Sequence, residues 1–245
     1  PYNISGDGMC DGGAWIIDNN GEYGNVDIYP LDTTTTGCTT MTAQDFMVVG
    51  NMTLCTENYT VTYSGSNRGV IEFISNMPAI IDCNGTNWYG DDGSADRGIV
   101  LYSNKDNNTI KNCNFHDYYY NLYIDGAGTG SNLCSGNWFI NNLFNSSTNY
   151  NVYFNDYVYY TNFINNSVFA AGDSGIFVYN NDDYNNFTGN NITGNGNAGG
   201  EYGFYNQNPD SDGNLVWNNY FDNTYDTRDS SSYGATYYVT PHLGT

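Results

Sequence analysis

Asn112-Cys113-Asn114-Phe115, Asn141-Asn142-Leu143-Phe144, Asn166-Ser167-Val168-Phe169, Asn190-Asn191-Ile192 and Asn218-Asn219-Tyr220-Phe221 are variants of one phrase, Asn or Cys ahead of an aromatic residue or Ile. Phe115, Phe144, Phe169, Ile192 and Phe221 follow one another at steps of 29, 25, 23 and 29 residues. A second phrase stands upstream of each: Gly98-Ile99-Val100-Leu101-Tyr102, Asn121-Leu122-Tyr123-Ile124, Asn151-Val152-Tyr153-Phe154, Gly175-Ile176-Phe177-Val178-Tyr179 and Tyr202-Gly203-Phe204-Tyr205. Two short β-type runs per period, separated by Asn, Asp, Gly and Ser, are the signature of one coil of a solenoid. The reading is all-β, a right-handed parallel β-helix over residues 38–224. Residues 1–37 and 225–245 do not repeat and read as caps or assembly segments, since an uncovered coil end is a template for strand pairing.

Working outward, Phe46–Val49, Met52–Cys55, Tyr59–Tyr63, Val70–Ile74 and Ala79–Gly85 supply earlier coils. In the head, Trp15–Ile17 and Val26–Tyr29 are short strand candidates, and in the tail Ala235–Thr240 is a strand by propensity. The phrase Asn has a physical role: it tolerates left-handed backbone, and stacked amides can bond to one another up a column. Phe115, Phe144, Phe169 and Phe221 read as an aromatic stack in the core.

Composition agrees with a narrow coil. The 245 residues include 25 Tyr and 29 Gly, and only 13% are charged. Acidic residues number 26 against 5 basic ones, a formal charge of −21. Phosphate backbones and anionic lipid surfaces call for Lys and Arg, so nucleic acid and membrane surfaces are poor partners. No apolar run reaches the roughly 20 residues of a bilayer span. Pro1 follows no signal-like segment, and the chain reads as a mature form from which a secretion signal has been removed.

Cys10, Cys38, Cys55, Cys83, Cys113 and Cys134 are an even set, widely spaced and without CxxC. This pattern points to disulfides in an oxidising compartment rather than to a zinc site. Cys83 and Cys113 hold the same slot in Asp82-Cys83-Asn84 and Asn112-Cys113-Asn114. Same-slot residues in adjacent coils stack about 4.8 Å apart, close to the separation a disulfide needs, which makes these two a pair. Cys10 is left to Cys134 by elimination. Asn-x-Ser/Thr sequons begin at Asn3, Asn51, Asn58, Asn84, Asn107, Asn145, Asn165, Asn186 and Asn191 and point to an N-glycosylated, extracellular surface.

Cys38 followed 17 residues on by Cys55, then Ile81-Asp82-Cys83-Asn84-Gly85, Gly98-Ile99-Val100-Leu101-Tyr102 and Asn108-Thr109-Ile110-Lys111-Asn112-Cys113, resembles the right-handed parallel β-helix repeat proteins of microbial, notably archaeal, cell surfaces. These are grouped with periplasmic NosD-like and carbohydrate-binding β-helix families. The resemblance covers about Cys38 to Phe221 and implies the fold. Its members are surface or adhesive proteins, and the fold also hosts polysaccharide lyases and hydrolases.

No catalytic constellation stands out. Asp91-Asp92 and Asp182-Asp183 are adjacent carboxylates, which on strands face opposite ways and in loops are solvated turn formers. His116 and His242 lack a nucleophile context, and His116 reads as an exposed turn residue. The basic residues have no acidic partner at a repeat position. Asn208-Pro209-Asp210-Ser211-Asp212-Gly213 resembles the first half of a calcium loop, with Asn208, Asp210 and Asp212 as oxygen donors. Asn219 stands where the bidentate Glu belongs, and an Asx turn is the default. Calcium is the cofactor these residues would take, and none is required. Tyr118–Tyr120 and Tyr157–Tyr160 expose rings suited to sugar stacking or protein contact, or are simply good strand residues.

The expectation is therefore a secreted, disulfide-stapled, glycosylated structural surface protein without enzymatic activity, a filament or sheath subunit joined to copies of itself through its termini. An adhesin or carbohydrate-binding module is the alternative, and a lyase or hydrolase the third reading.

Overall fold

In the computed structural model, the described residues are 37–40, 46–61, 69–93, 96–126, 132–196, 201–230 and 236–238. Asn3, Cys10, His242 and the head strand candidates lie outside them. Every strand pairs with its neighbours in parallel, and the sheets stack into a β-solenoid, as the repeat requires. The first sheet has eight strands: Phe46–Val48, Ile71–Phe73, Arg97–Tyr102, Tyr120–Asp125, Val152–Asp156, Ile176–Asn180, Phe204–Asn206 and Thr227–Asp229. The second also has eight, from Met52–Thr53 through Ile80–Asp82, Thr109–Lys111, Trp138–Ile140, Asn162–Ile164, Asn186–Thr188 and Leu215–Trp217 to Thr236–Tyr238. The third has seven: Asn58–Thr60, Asn87–Tyr89, Asn114–His116, Leu143–Asn145, Ser167–Phe169, Asn191–Thr193 and Tyr220–Asp222. A short pair, Cys134–Ser135 with Val158–Tyr159, sits between the first and second sheets. The tail strand forms as Thr236–Tyr238, which with Thr227–Asp229 continues two sheets beyond residue 224.

The strands of the second and third sheets are two or three residues long, and nearly all send a single side chain inward. Ile110, Phe139, Phe163, Phe187 and Val216 fill the second sheet's inner column. On the third sheet Tyr59, Trp88, Phe115 and Phe144 stack, with centroids 4.8, 6.0 and 6.2 Å apart. The expected phenylalanine column is corrected at one rung: Phe144 pairs with Val168, not Phe169, and Val168 with Ile192. Val168 is buried, and Phe169 takes the outward position one residue on.

The repeated asparagines divide into two columns with separate roles. Asn112, Asn141, Asn165 and Asn218 have φ of 54–55° and turn the corner between the second and third sheets. Cys113, Asn142, Asn166 and Asn219, each one residue later, and Asn190, which follows Gly189 at φ 67°, point inward. The amide N–H of Cys113 donates to Asn142 Oδ1, that of Asn142 to Asn166, that of Asn166 to Asn190 and that of Asn190 to Asn219, at 2.8–3.0 Å. The side-chain Nδ2 groups of Asn142, Asn166, Asn190 and Asn219 donate to the carbonyls of Ile110, Phe139, Phe163 and Phe187. A second ladder at the entry to the second sheet links Ala79, Asn108 and Asn137, is interrupted at Thr161, and resumes through Asn185 to Asn214. A third links Asn121, Asn151, Asn195 and Asn223. Each carboxamide satisfies backbone groups that a tight corner would otherwise bury unpaired.

Disulfides form between Cys38 and Cys55 and between Cys83 and Cys113, the latter with Cα atoms 4.8 Å apart. Cys134 is a free, buried thiol whose Sγ lies near the carbonyls of Leu101 and Asp125, and Cys10, its expected partner, lies outside the described residues.

Asn166→Ala leaves the Asn142 N–H buried and unpaired and removes a second donor from the Phe139 carbonyl. The expected cost is about 3 kcal/mol by urea denaturation, against under about 0.5 kcal/mol for Asn162→Ala on the outer surface.

Candidate ligand-binding face

The outward residues of the first sheet form a continuous column. Register pairs Glu72 with Val100, Val100 with Tyr123, Tyr123 with Tyr153, Tyr153 with Phe177, Phe177 with Tyr205 and Tyr205 with Arg228. Strand alternation places this column outside while Leu122, Ile124, Val152, Phe154, Ile176 and Val178 fill the core. The four consecutive aromatic rungs have centroids 5.3–5.4 Å apart, tilted or edge-on to one another. Flanking rings pack on them. Tyr120 stacks on Tyr150 at 5.9 Å, Tyr150 lies on Phe177 at 4.3 Å, and Tyr202 packs on Tyr205 and Tyr225. So closely do they fit that Tyr123 and Phe177 are only 6% and 5% exposed although they point outward.

A guanidinium group lies on the rings at each end: Arg97 3.8 Å over Tyr123, and Arg228 4.9 Å over Tyr205. A polar rail borders the aromatic column. Asp125 accepts hydrogen bonds from the Tyr123 hydroxyl at 2.8 Å and Asn155 Nδ2 at 3.1 Å, Asp156 accepts from Asn180 Nδ2 at 2.5 Å, and Asn180 Oδ1 accepts from Asn208 Nδ2 at 2.7 Å. Burial raises the phenols, Tyr120 to about 12 and Tyr123 and Tyr153 further, so the hydroxyls stay protonated at neutral pH. The face is rigid, mixed in polarity, and carries aromatic C–H edges beside amide and carboxylate groups.

The site residues expected from sequence fare unevenly. Of the Tyr118–Tyr120 run, Tyr118 is wholly buried against Phe115, and only Tyr119 and Tyr120 reach the surface. Tyr160 is exposed and stacks on Tyr184 at another corner. Asn208 Oδ1 caps the Asp210 N–H in an Asx turn, Asp210 is exposed, and the Asp212 N–H donates to Asp183 Oδ1. Asp182 is corrected from a solvated turn former to a fully buried group accepting the Val158 and Tyr179 N–H groups, with burial raising its carboxyl well above the usual range. His116 is corrected from loop to strand: half-buried, stacked on Tyr89 at 4.8 Å, with Nδ1 bonded to Asn145 Nδ2. Lys111 does have a partner, Asp82 at 3.1 Å, one rung away in register.

What the repeat pattern concealed was the column itself. Its signal was present in the upstream phrases, where the residue after the first buried hydrophobic side chain is Val100, Tyr123, Tyr153, Phe177 and Tyr205 in turn.

Asp96, 3% exposed, lies beside Asp91, whose backbone N–H reaches it at 3.4 Å. Burial and the shared proton with Asp91 push Asp96 up to about 6 from 3.8, so the folded state keeps a proton the unfolded chain has released. Stability from this group is full below about 4 and is lost as pH rises through about 6. Asp96→Asn mimics the protonated acid, and its melting temperature relative to the parent is expected to rise between pH 4 and pH 6 and to be level above pH 7.

Residues 90–245, well over half of the chain, match the family model described as periplasmic copper-binding protein (NosD). No curated protein and no solved structure gives a match. Copper calls for converging imidazole, thiolate or thioether donors. Among the described residues no three His, Cys, Asp or Glu side chains converge, and His116 and Cys134 are each committed to packing. The described residues therefore do not fit a copper centre. Among them, too, no helix is long and apolar enough to cross a membrane. Parallel solenoid, disulfides of an oxidising compartment and family match agree, and this chain belongs to the NosD family of exported β-helix proteins.

Proposed function

We propose that the protein is a non-catalytic carbohydrate-binding solenoid, its ligand an extended neutral polysaccharide laid along the outer face of the first sheet. The observation that carries this reading is the aromatic column Tyr123, Tyr153, Phe177 and Tyr205 with its bordering rail of Asp125, Asn155, Asp156 and Asn180. Sugars offer apolar C–H faces and a rim of hydroxyls, and this strip offers aromatic rings beside hydrogen-bonding groups. One coil rises about 4.8 Å, close to the length of one sugar unit in an extended chain, so a unit can lie over each rung, with Tyr153 and Tyr205 the rungs whose rings reach the surface. The formal charge of −21 disfavours a polyanionic glycan. The ordered rings lose little side-chain freedom on binding. Asp125 and Asp156 are held by neighbouring amides and phenol, which suits orientation of hydroxyls rather than proton transfer.

Assembly into a filament through the termini is the second reading. It is favoured by the first and second sheets running on into the C-terminal segment as Thr227–Asp229 and Thr236–Tyr238. Light scattering across protein concentration separates it from a monomeric binder.

Calorimetric titration with soluble neutral glucans, mannans and galactans, alongside a polyuronate, tests the first reading. One neutral glycan is expected to bind, with Tyr153→Ala and Tyr205→Ala each weakening it roughly tenfold, about 1.4 kcal/mol, and Tyr220→Ala on the third sheet leaving it unchanged. Equal binding by all three variants, preference for the polyuronate, or no binding by the parent would contradict it.

A further inference from the structure

Eight of the nine sequons lie among the described residues, and their asparagines are distributed unevenly around the solenoid. Asn51 and Asn186 belong to the second sheet's side, and Asn58, Asn145 and Asn191 to strands of the third. Asn84, Asn107 and Asn165 occupy corners, with φ of 49°, 57° and 54°. The first sheet carries none.

Their side chains fall into two classes. Asn51, Asn58, Asn84, Asn107, Asn165 and Asn191 are exposed. The side-chain bonds of Asn51 and Asn58 are made through Oδ1, which accepts from Ile80 N–H and Asn87 Nδ2, and leave Nδ2 outward. Asn145 and Asn186 are half-buried and spend Nδ2 internally, on His116 Nδ1 at 3.1 Å and Asn162 Oδ1 at 3.3 Å. Asn186 Oδ1 also accepts from Thr188 Oγ1 and Trp217 Nε1.

The corners show a further feature. Under Asn107 and Asn165 the next coil has Gly136 and Gly189, where any Cβ would come within 2.5 and 2.4 Å of the asparagine Oδ1. Both glycines have φ above 60°, and with no side chain there the carboxamide rests on bare backbone at the rim of the coil.

We infer that Asn51, Asn58, Asn84, Asn107, Asn165 and Asn191 carry N-linked glycans, that Asn145 and Asn186 do not, and that the coat leaves the aromatic face of the first sheet bare. In the reaction, Nδ2 forms a bond to the anomeric carbon of a sugar carried on a lipid phosphate. The bond from that carbon to the phosphate oxygen breaks, the lipid phosphate leaves, and the amide gives up one proton and keeps the other. The Oδ1 bonds of Asn51 and Asn58 survive this change. At Asn145 and Asn186 the half-buried carboxamide is held against its partner through Nδ2, which hinders its presentation to the glycosyl donor.

Glycopeptide mass spectrometry of the full chain recovered from its source cells, before and after enzymatic glycan removal, decides the matter. Glycan is expected on all six exposed asparagines, with Asn145 and Asn186 recovered unmodified. Asn107→Gln and Asn165→Gln are each expected to remove one glycan mass while the protein still folds. Occupancy of Asn145 or Asn186 equal to that of Asn107, or absence of glycan from all six, would overturn the assignment. Because the readout is covalent mass, it is independent of whether the aromatic face binds a polysaccharide.

Discussion

A column of carboxamides holds the coils together. Most strands of three residues bury one side chain each, and the chain is poor in Leu, Ile and Val, so apolar burial per coil is small. Corners between such strands would leave backbone N–H and C=O groups inside the solenoid without partners, at a cost of about 1–3 kcal/mol each. Asn142, Asn166, Asn190 and Asn219 remove that penalty at one corner by accepting from the coil before and donating to a carbonyl within the stack. Asparagine suits the slot because one short planar group supplies both an acceptor and two donors. Where the ladder ends, at Cys113, a covalent link to Cys83 takes over, and the Cys113 N–H is the junction between the two devices.

Because stacking is settled inside and at the corners, the outer surfaces are free to differ. The third sheet and the corners beside it present polar side chains and most of the sequons. The first presents aromatic rings packed so closely that outward Tyr123 and Phe177 are nearly buried. Cross-strand aromatic pairs contribute about 0.5–1.5 kcal/mol each beyond burial, so this face also adds to stacking. One surface thus serves both stability and binding, and a ligand meets a platform that is already ordered.

Period and composition made the solenoid legible, and the Cys83–Cys113 bridge forms as expected, although the register sets Asp82 against Lys111 and so puts Cys113 one residue past the slot of Cys83. The registration of those phrases was harder to read. Asn166-Ser167-Val168-Phe169 ends in Phe like its neighbours, yet Asn166 is the ladder residue, so the inward slot two positions later belongs to Val168 and Phe169 faces out. Successive coils measure 29, 24, 24 and 29 residues, as the ladder spacings show. Counting from aromatic to aromatic therefore slips by one residue, and in a strand one residue exchanges inside for outside. Asp182 was hidden for a related reason: an adjacent carboxylate pair looks solvated until the corner that buries one member is known. The aromatic face was obscured by tyrosine's ambiguity, since the same residue is a good strand former, a core ring or a ligand platform. Only the register, placing Tyr123, Tyr153, Phe177 and Tyr205 in line, separates these roles.

The central claim is that side-chain carboxamides act as the hydrogen-bonding partners of the corner backbone. Amide hydrogen exchange followed residue by residue by NMR tests it most directly. Protection at the N–H groups of Cys113, Asn142, Asn166, Asn190, Thr161 and Asn185 is predicted to equal that of the central strand amides of Phe139 and Phe163. Exchange at these six positions as fast as at exposed turns such as Asp210 would contradict the account.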